Sequence, residues 1–392
     1  MNILSISSIL PIHDLLPHND FVFQTYLNYK KLFKEDEITI IKPIKYDFNL
    51  LSILKGATRL GKLKKKYTWE INGFQVEIFP FFSSWGLRNL HSLLTRSILI
   101  INNRRIKQLI PSAKIDVIHA QYIYPDGVLA YQLNKRFGIP YFVTSHNERY
   151  FFERKLSKRL ALKIFRNASK VLPINQTNAL YFKSLGVSNI ELAPLGFNES
   201  FLREQKQIAH NSLSIFTVSV LIPLKNIDKV IRAIGKLIPK YEITYTIIGK
   251  GPEKENLVKL VGDLHLNEHI KFVDHIPHEE ISDQMYKHDV FIMPSYFETF
   301  GRVYFECMAM GIPVICAKNS GIYGLFKEKE EGLAVNHESI DEIIHALEYL
   351  IGHPRERIEI GLKGQKLVRN YTWTEVAKDL HMKSLNSIQE KG

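Results

Sequence analysis

Two glutamates, Glu298 and Glu306, stand with seven residues between them in the stretch FIMPSYFETFGRVYFECMAMGIPVICAKNS, Phe291 to Ser320. Between them lie Thr299, Phe300, Gly301, Arg302 and Val303. From Gly301 onward apolar residues recur at helical spacing, so the backbone N–H groups near Phe300 to Val303 open a helix and have no partners within it. Such amides form a ready anion site. Arg302 sits at that same helix start, a poor place for a cation unless an anion binds there.

The flanking residues say what must hold these groups in place. Val290 to Met293 is a short apolar run, expected as a strand buried on both faces of a parallel sheet. Pro294 to Phe300 reads as a turn. Gly311 and Pro313 stop the helix, because glycine tolerates a left-handed cap and proline cannot continue a helix. Pro313 to Ala317 reads as the next buried strand. The unit is strand, helix, strand, and ligands of such units sit at the carboxyl ends of the strands.

The frame PS-YFE-TFG, then E-CMAMG-IPVI, resembles the donor-site motif of the retaining glycosyltransferases of family 4, which have the GT-B fold. Two glutamates at this spacing occur by chance, but the surrounding strand, FG turn, helix and GxPV segment make the resemblance specific. It implies an α/β protein of two Rossmann-like doubly wound domains facing across a cleft. Residues 1–198 would form the acceptor domain and 199–372 the nucleotide-sugar donor domain. Residues 373–392 would be a terminal helix that crosses back to the first domain. The resemblance gives Glu306 the ribose hydroxyls of the donor, Glu298 the hydroxyls of its sugar, and the Thr299–Val303 stretch its phosphates. Lys225 corresponds to a diphosphate-gripping lysine. Val220 stands where the family carries a partner arginine, a loss for which Arg302 could compensate.

On the acceptor side, GIPYFVTSHN places His146 at the end of a strand, matching a histidine that faces the reacting sugar. His119, inside the strand pattern DVIHA, reads instead as a hydrogen-bonded structural histidine. The first loop of the family carries a Gly-Gly pair, but here the place reads Pro17-His18-Asn19-Asp20. Asn19 and Asp20 are candidates either to hydrogen-bond an acceptor or to cap the helix expected from Phe21 to Phe33. The catalytic set implied is Glu298, His146 and Lys225. The sequence has no D-x-D motif, so no metal and no cofactor are expected beyond the nucleotide-sugar donor, and no side chain stands out as a covalent nucleophile.

The chain has 392 residues, 45% of them hydrophobic and 23% charged, which suits a soluble protein of two or three compact domains. No apolar run reaches the ~18 residues of a spanning helix. MNILSISSIL lacks a basic leader region and reads as a first strand rather than a signal peptide. Cys307 and Cys316 read as buried thiols of a reduced cytoplasm. Charge is unevenly shared: residues 1–200 hold 28 Lys+Arg against 14 Asp+Glu, and residues 201–392 hold 24 against 26. A basic first half attached to a neutral second half suggests that only the first meets an anionic surface.

Two segments of the first half are rich in basic residues, the insertion Lys55 to Tyr67 and the stretch Ser83 to Ile110. The second sets Trp85, Leu87, Leu90, Leu93 and Leu94 beside Arg88, Arg96, Arg104 and Arg105. Such a pattern suits either an interfacial helix on an anionic bilayer or a core-packing helix with a solvated basic face. The expected location is the cytoplasm, with peripheral attachment to the inner face of the cell membrane if the first alternative holds. The expected acceptor is a glycan or lipid-linked intermediate of the bacterial cell envelope. A non-catalytic GT-B-like subunit, and a nucleic-acid binder using the basic half, are the rival readings. The second lacks any recognisable module, and no nucleic acid is expected as a partner.

Overall fold

The computed structural model describes residues 1–10, 21–47, 68–83, 97–146, 150–153, 155–204, 212–274 and 276–390. The chain divides into two compact units. One comprises residues 1–174, 178–194 and 374–392, and the other residues 175–177 and 195–373.

Among the described residues the first unit has seven strands: β1 (Asn2–Ile6), β2 (Glu37–Asp47), β3 (Thr68–Ile71), β4 (Phe74–Ser83), β5 (Val117–Ala120), β6 (Tyr141–Ser145) and β7 (Lys170–Pro173). Their order in the sheet is β3-β4-β2-β1-β5-β6-β7. All pairings are parallel except β3 with β4, an antiparallel hairpin turned by Asn72 and Gly73 at φ 51° and 78°. β5 and β6 are buried at every residue, and β1 and β7 at all but the first, because parallel strands covered by helices are apolar on both faces. Around the sheet lie α1 (Phe21–Leu32), α2 (Asn103–Ser112), α3 (Val128–Phe137), α4 (Tyr150–Glu153), α5 (Lys155–Asn167) and α6 (Gln176–Ser184).

The first strand is shorter than the stretch to Leu10 that its apolar run suggests. It ends at Ile6, after which Ser8 N–H donates to the buried Asp126 carboxylate at 3.0 and 3.1 Å instead of pairing in the sheet. The described part of the Ser83–Ile110 segment is mixed, with Ile100 (76%), Ile101 and Arg104 exposed and other residues packed inward. Ile98, Ile106 and Ile110 are in the core, and Arg105 pairs with Glu77 while lying 4.8 Å over the Phe79 ring. Arg105 is therefore a structural cation of this unit rather than part of a membrane-facing stripe. Trp85, Leu87, Arg88, Leu90, Leu93, Leu94, Arg96 and the Lys-rich insertion lie outside the described residues, as do Asn19 and Asp20. Among the described residues, no helix is long and apolar enough to cross a membrane.

The second unit has six parallel strands: β8 (Leu213–Val218), β9 (Ile243–Ile248), β10 (Ile270–Val273), β11 (Val290–Met293), β12 (Val314–Ala317) and β13 (Leu333–Val335). Their order, β10-β9-β8-β11-β12-β13, means that the chain winds outward from β8 and then returns to β8's other side with β11. The reversal between β8 and β11 creates the crevice in which open α/β sheets bind ligands. Its helices are α7 (Ile227–Leu237), α8 (Lys254–Asp263), α9 (His278–Met285), α10 (Arg302–Ala309), α11 (Ile340–Gly352) and α12 (Pro354–Val368). In α7, Ile227, Val230, Ile231, Ile234 and Leu237 recur at helical spacing and are all buried, each burial stabilising the unit by about 1.5–3 kcal/mol.

Helix α12 has no counterpart in the sequence reading, because Gly361 and Gly364 weaken its helical signal. Gly364 is there for close approach: a Cβ would stand 2.8 Å from the Glu331 carbonyl oxygen. The next residue, Gln365, is buried and donates to the Ala309 carbonyl at 2.7 Å, so α12 holds the far end of α10. The last helix, α13 (Trp373–Gln389), belongs to the first unit from Thr374 onward. There His381 stacks on Phe33 at 3.8 Å and accepts from or donates to the Tyr29 hydroxyl at 2.8 Å.

Candidate functional site

The Glu298–Glu306 segment leaves the carboxyl end of β11 and enters α10. Gly301 takes φ 77° as the residue before α10, and a Cβ there would lie 2.6 Å from the Tyr304 ring and 3.0 Å from Glu298 Cγ. Only glycine fits both demands. No side chain caps α10, whose first turn carries Arg302 and Val303 and whose Tyr304 N–H donates to the Gly301 carbonyl at 3.0 Å. Tyr304, fully buried, donates its hydroxyl to the Met293 carbonyl and fixes the helix against β11.

Glu298 is placed by its own backbone. Its N–H donates to Ser320 Oγ at 2.8 Å, and its carbonyl accepts from Gly321 N–H at 3.0 Å. Thr299 is held through its carbonyl by Asn175 Nδ2 at 2.7 Å, and Phe300 is buried against Phe305 with ring centroids 5.0 Å apart. The loop after β8 is stitched to the same place. Asn226, left-handed at φ 53°, donates to the Pro294 carbonyl at 2.8 Å, and Tyr296 N–H donates to the Leu224 carbonyl at 2.8 Å. Between these two anchors sits Lys225, whose Nζ lies 2.5 Å from Glu298 Oε2. Both side chains are mostly buried, 16% and 17% exposed. An ion pair so placed is weak evidence for stability, since desolvation offsets its attraction. It leaves two Lys225 donors and one Glu298 oxygen for other partners.

A cavity of about 600 Å³ opens at the carboxyl ends of β8 and β9. Val220, Lys250, Arg302, Val303 and Glu306 line it, with Ile276, Ile281 and Met285 giving one apolar wall. The volume lies within the ~300–1,000 Å³ of small-molecule sites. The structure therefore divides the sequence-identified donor residues. Arg302, Val303 and Glu306 face the cavity, whereas Lys225, Glu298, Thr299 and Phe300 are not among its lining residues. Gly301 joins the two groups, with Glu298 packed against one side of it. Arg302 and Val220 line the same cavity. Ser219, Lys250 and the apolar wall were not singled out from sequence. The Gly249-Lys250-Gly251 turn was the available signal for Lys250, while Ile276 lies in a loop with no pattern of its own.

In the first unit, His146 follows β6 and is 3% exposed, stacked on Tyr122 at 4.6 Å and tilted against Phe21 at 4.8 Å. Among the described residues, its buried Nε2 has no hydrogen-bond partner. His119 is buried in a polar cluster. Its Nδ1 lies 2.8 Å from the Tyr26 hydroxyl and 3.2 Å from Gln121 Nε2, and its Nε2 lies 2.8 Å from Thr144 Oγ1. The Gln121 amide nitrogen can only donate, so Nδ1 accepts and the neutral ring carries its proton on Nε2. His119 has the structural role its strand position suggests.

Burial lowers the pKa of His119 to about 3, with His146 adding to the effect, and burial likewise lowers His146 to about 3. Unfolded, both titrate near their ordinary 6.5. Between those values the unfolded chain binds protons that the folded chain refuses. The stability they contribute is therefore complete above about pH 6.5 and is lost as the pH falls toward about 3. Each histidine adds a slope of up to about 1.4 kcal/mol per pH unit. Hydrogen exchange of the β5 and β6 amides should show protection falling between about pH 7 and about pH 5.5. His119→Gln should flatten that dependence by about half, and an unchanged slope would show that His119 is not buried neutral.

The chain is similar to known proteins in both units. A family model described as "Glycosyl transferases group 1" matches residues 198–367, and one described as "Glycosyltransferase Family 4" matches residues 64–201. A Mycolicibacterium smegmatis protein named GDP-mannose-dependent alpha-(1-6)-phosphatidylinositol monomannoside mannosyltransferase is 29% identical over 197 residues. That match covers 48% of this chain and 51% of the relative, so about half of the relative's length is compared. A D-inositol 3-phosphate glycosyltransferase of Pseudarthrobacter chlorophenolicus is 23% identical over 299 residues, covering 70% of this chain and 71% of the relative. Among solved structures, Anabaena Alr3699/HepE in complex with UDP superposes with a TM-score of 0.70 at 18% identity, covering 99% of this chain and 100% of that one. At that identity the likeness is one of fold.

Proposed function

The chain belongs to the group 1, family 4 glycosyltransferases with the GT-B fold, and from that premise we propose that it transfers a sugar with retention of configuration, from a nucleoside diphosphate sugar, without a metal ion. The observation that carries this reading is the cavity at the carboxyl ends of β8 and β9, lined by Glu306 and Arg302, with the Lys225–Glu298 pair near its α10 side. Glu306 accepts the ribose hydroxyls, and the first turn of α10 faces the phosphates. Lys225 turns its two remaining donors to the diphosphate, and Glu298 takes the sugar hydroxyls. Charge develops on the leaving diphosphate as its bond to the sugar's anomeric carbon breaks, and preorganised cations and amides stabilise that charge most. On the front-face route a diphosphate oxygen takes the proton of the acceptor hydroxyl, and the acceptor oxygen bonds the anomeric carbon on the face the diphosphate leaves. No D-x-D motif supplies a metal site in the sequence, which supports the metal-independent form.

His146, buried at a strand end with an Nε2 unpartnered among the described residues, is the candidate for the acceptor side. The acceptor we propose is a glycolipid or polysaccharide intermediate of a bacterial envelope. Support comes from the basic first half and from the phosphatidylinositol mannoside in the mycobacterial relative's name. Retention of both Lys225 and Glu298, in contact, favours an enzyme over a non-catalytic subunit.

The test is release of nucleoside diphosphate from a panel of UDP- and GDP-sugars, with excess EDTA and with added magnesium, followed by NMR of the anomeric product. Equal rates with and without EDTA, and an α-product from an α-donor, are expected. A rate that vanishes with EDTA would remove the metal-independent reading, and a β-product would remove retention.

A further inference from the structure

The cavity carries a cation that none of these roles uses. Lys250 sits at the tip of the turn from β9 to α8 and lines the cavity with Val220, Arg302 and Glu306. The turn is fixed by backbone contact. Gly249 takes φ 145°, and a Cβ on it would stand 1.9 Å from the Ser219 carbonyl oxygen; a Cβ on Gly251 would stand 2.2 Å from that of Leu221. Leu221 N–H donates to the Lys250 carbonyl at 2.9 Å, and Glu253 N–H donates to the Leu221 carbonyl at 3.0 Å. Two loops approach this closely only because glycine has no side chain. The approach sets Lys250 beside Val220, an apolar residue 57% exposed on the same wall.

Among the described residues, Lys250 has no ion pair of its own. The carboxylate it influences, Asp274, is held below its ordinary range first by its hydrogen bond to Lys254, with Lys250 the smallest contributor. Asp274 and Lys254 form an ion pair at 2.5 Å. The other charged side chains lining the cavity, Arg302 and Glu306, have opposite signs. A net positive charge is left on an exposed side chain whose backbone is held in place.

We propose that Lys250 binds the phosphates of the nucleoside diphosphate in this cavity. The inference rests on the donor-site reading above. Lysine acts as a point charge rather than an orienting fork, so its contribution follows the ligand's charge more than its shape. Being exposed, it gives up little hydration to do so, and charge-assisted bonds are about twice as strong as neutral ones.

Calorimetric titration with UDP, GDP, uridine and guanosine, at low and high salt, tests it. Lys250→Ala should weaken the preferred diphosphate about 10-fold and leave its nucleoside unchanged, which also shows the cavity intact. Lys250→Glu should weaken it more, and the salt dependence should shrink in Lys250→Ala. Val220→Arg, placed on the same wall, should recover most of the loss in the Lys250→Ala background. If both Lys250 variants bind the diphosphate like the parent, Lys250 has no such role and the donor-site reading stands. A parent that binds neither diphosphate overturns the donor-site reading itself, and this inference with it.

Discussion

Lys225→Ala should lower sugar transfer at least about 100-fold, the scale for losing one preorganised charge at a developing anion. Lys225 keeps two donors beyond its contact with Glu298. It stands in a loop tied at Asn226 and Tyr296, mostly buried, against the carboxylate of Glu298. Truncating it also leaves Glu298 without its partner, so the rate must be read beside nucleoside affinity, which should hold. Arg302→Ala, which removes a cation from the wall shared with Val220, should cost nearly as much. A normal rate for Arg302→Ala would confine phosphate stabilisation to Lys225, and a normal rate for Lys225→Ala would remove the lysine from the chemistry.

Glu298→Ala should suppress transfer by a similar factor for a different reason. The structure holds Glu298 outside the lining of the cavity that contains Glu306, while Gly301 packs directly against its side chain. Its loss should therefore leave the nucleotide's seat intact and remove the acceptor of the sugar hydroxyls. An interaction made with the reacting sugar lowers the barrier only if it strengthens as the bond breaks. The expected signature is a fall in kcat with unchanged affinity for the nucleoside diphosphate. A fall in diphosphate affinity would place Glu298 on the nucleotide instead.

The β11–α10–β12 unit was legible because its signals agree. An unbroken apolar run, a glycine turn, helical spacing and a Gly-x-Pro stop all point to one arrangement, and the helix and strands lie within a residue of their expected bounds. The hairpin partner β3 was not read, although Asn72-Gly73 marks its turn, because four residues, TWEI, carry too short an alternation to stand alone. Helix α12 was hidden by the glycines its packing needs. At the site, chemistry-bearing residues were readable by type, but their grouping was not. Whether Lys225 faces a phosphate or a carboxylate depends on the Asn226 and Ser320 contacts, which join residues 68 and 22 positions apart. The apolar wall of the cavity was invisible for the same reason, since Ile276, Ile281 and Met285 converge only once β10 and α9 are in place.

The central claim is that the second unit's cavity seats a nucleoside diphosphate through Glu306. Titration of UDP and GDP into the parent, Glu306→Ala and Glu298→Ala tests it most directly. Glu306→Ala should weaken the preferred diphosphate by about 1–3 kcal/mol, the range for a charged hydrogen-bonding group, with Glu298→Ala matching the parent. Equal affinity in the parent and Glu306→Ala would contradict the account.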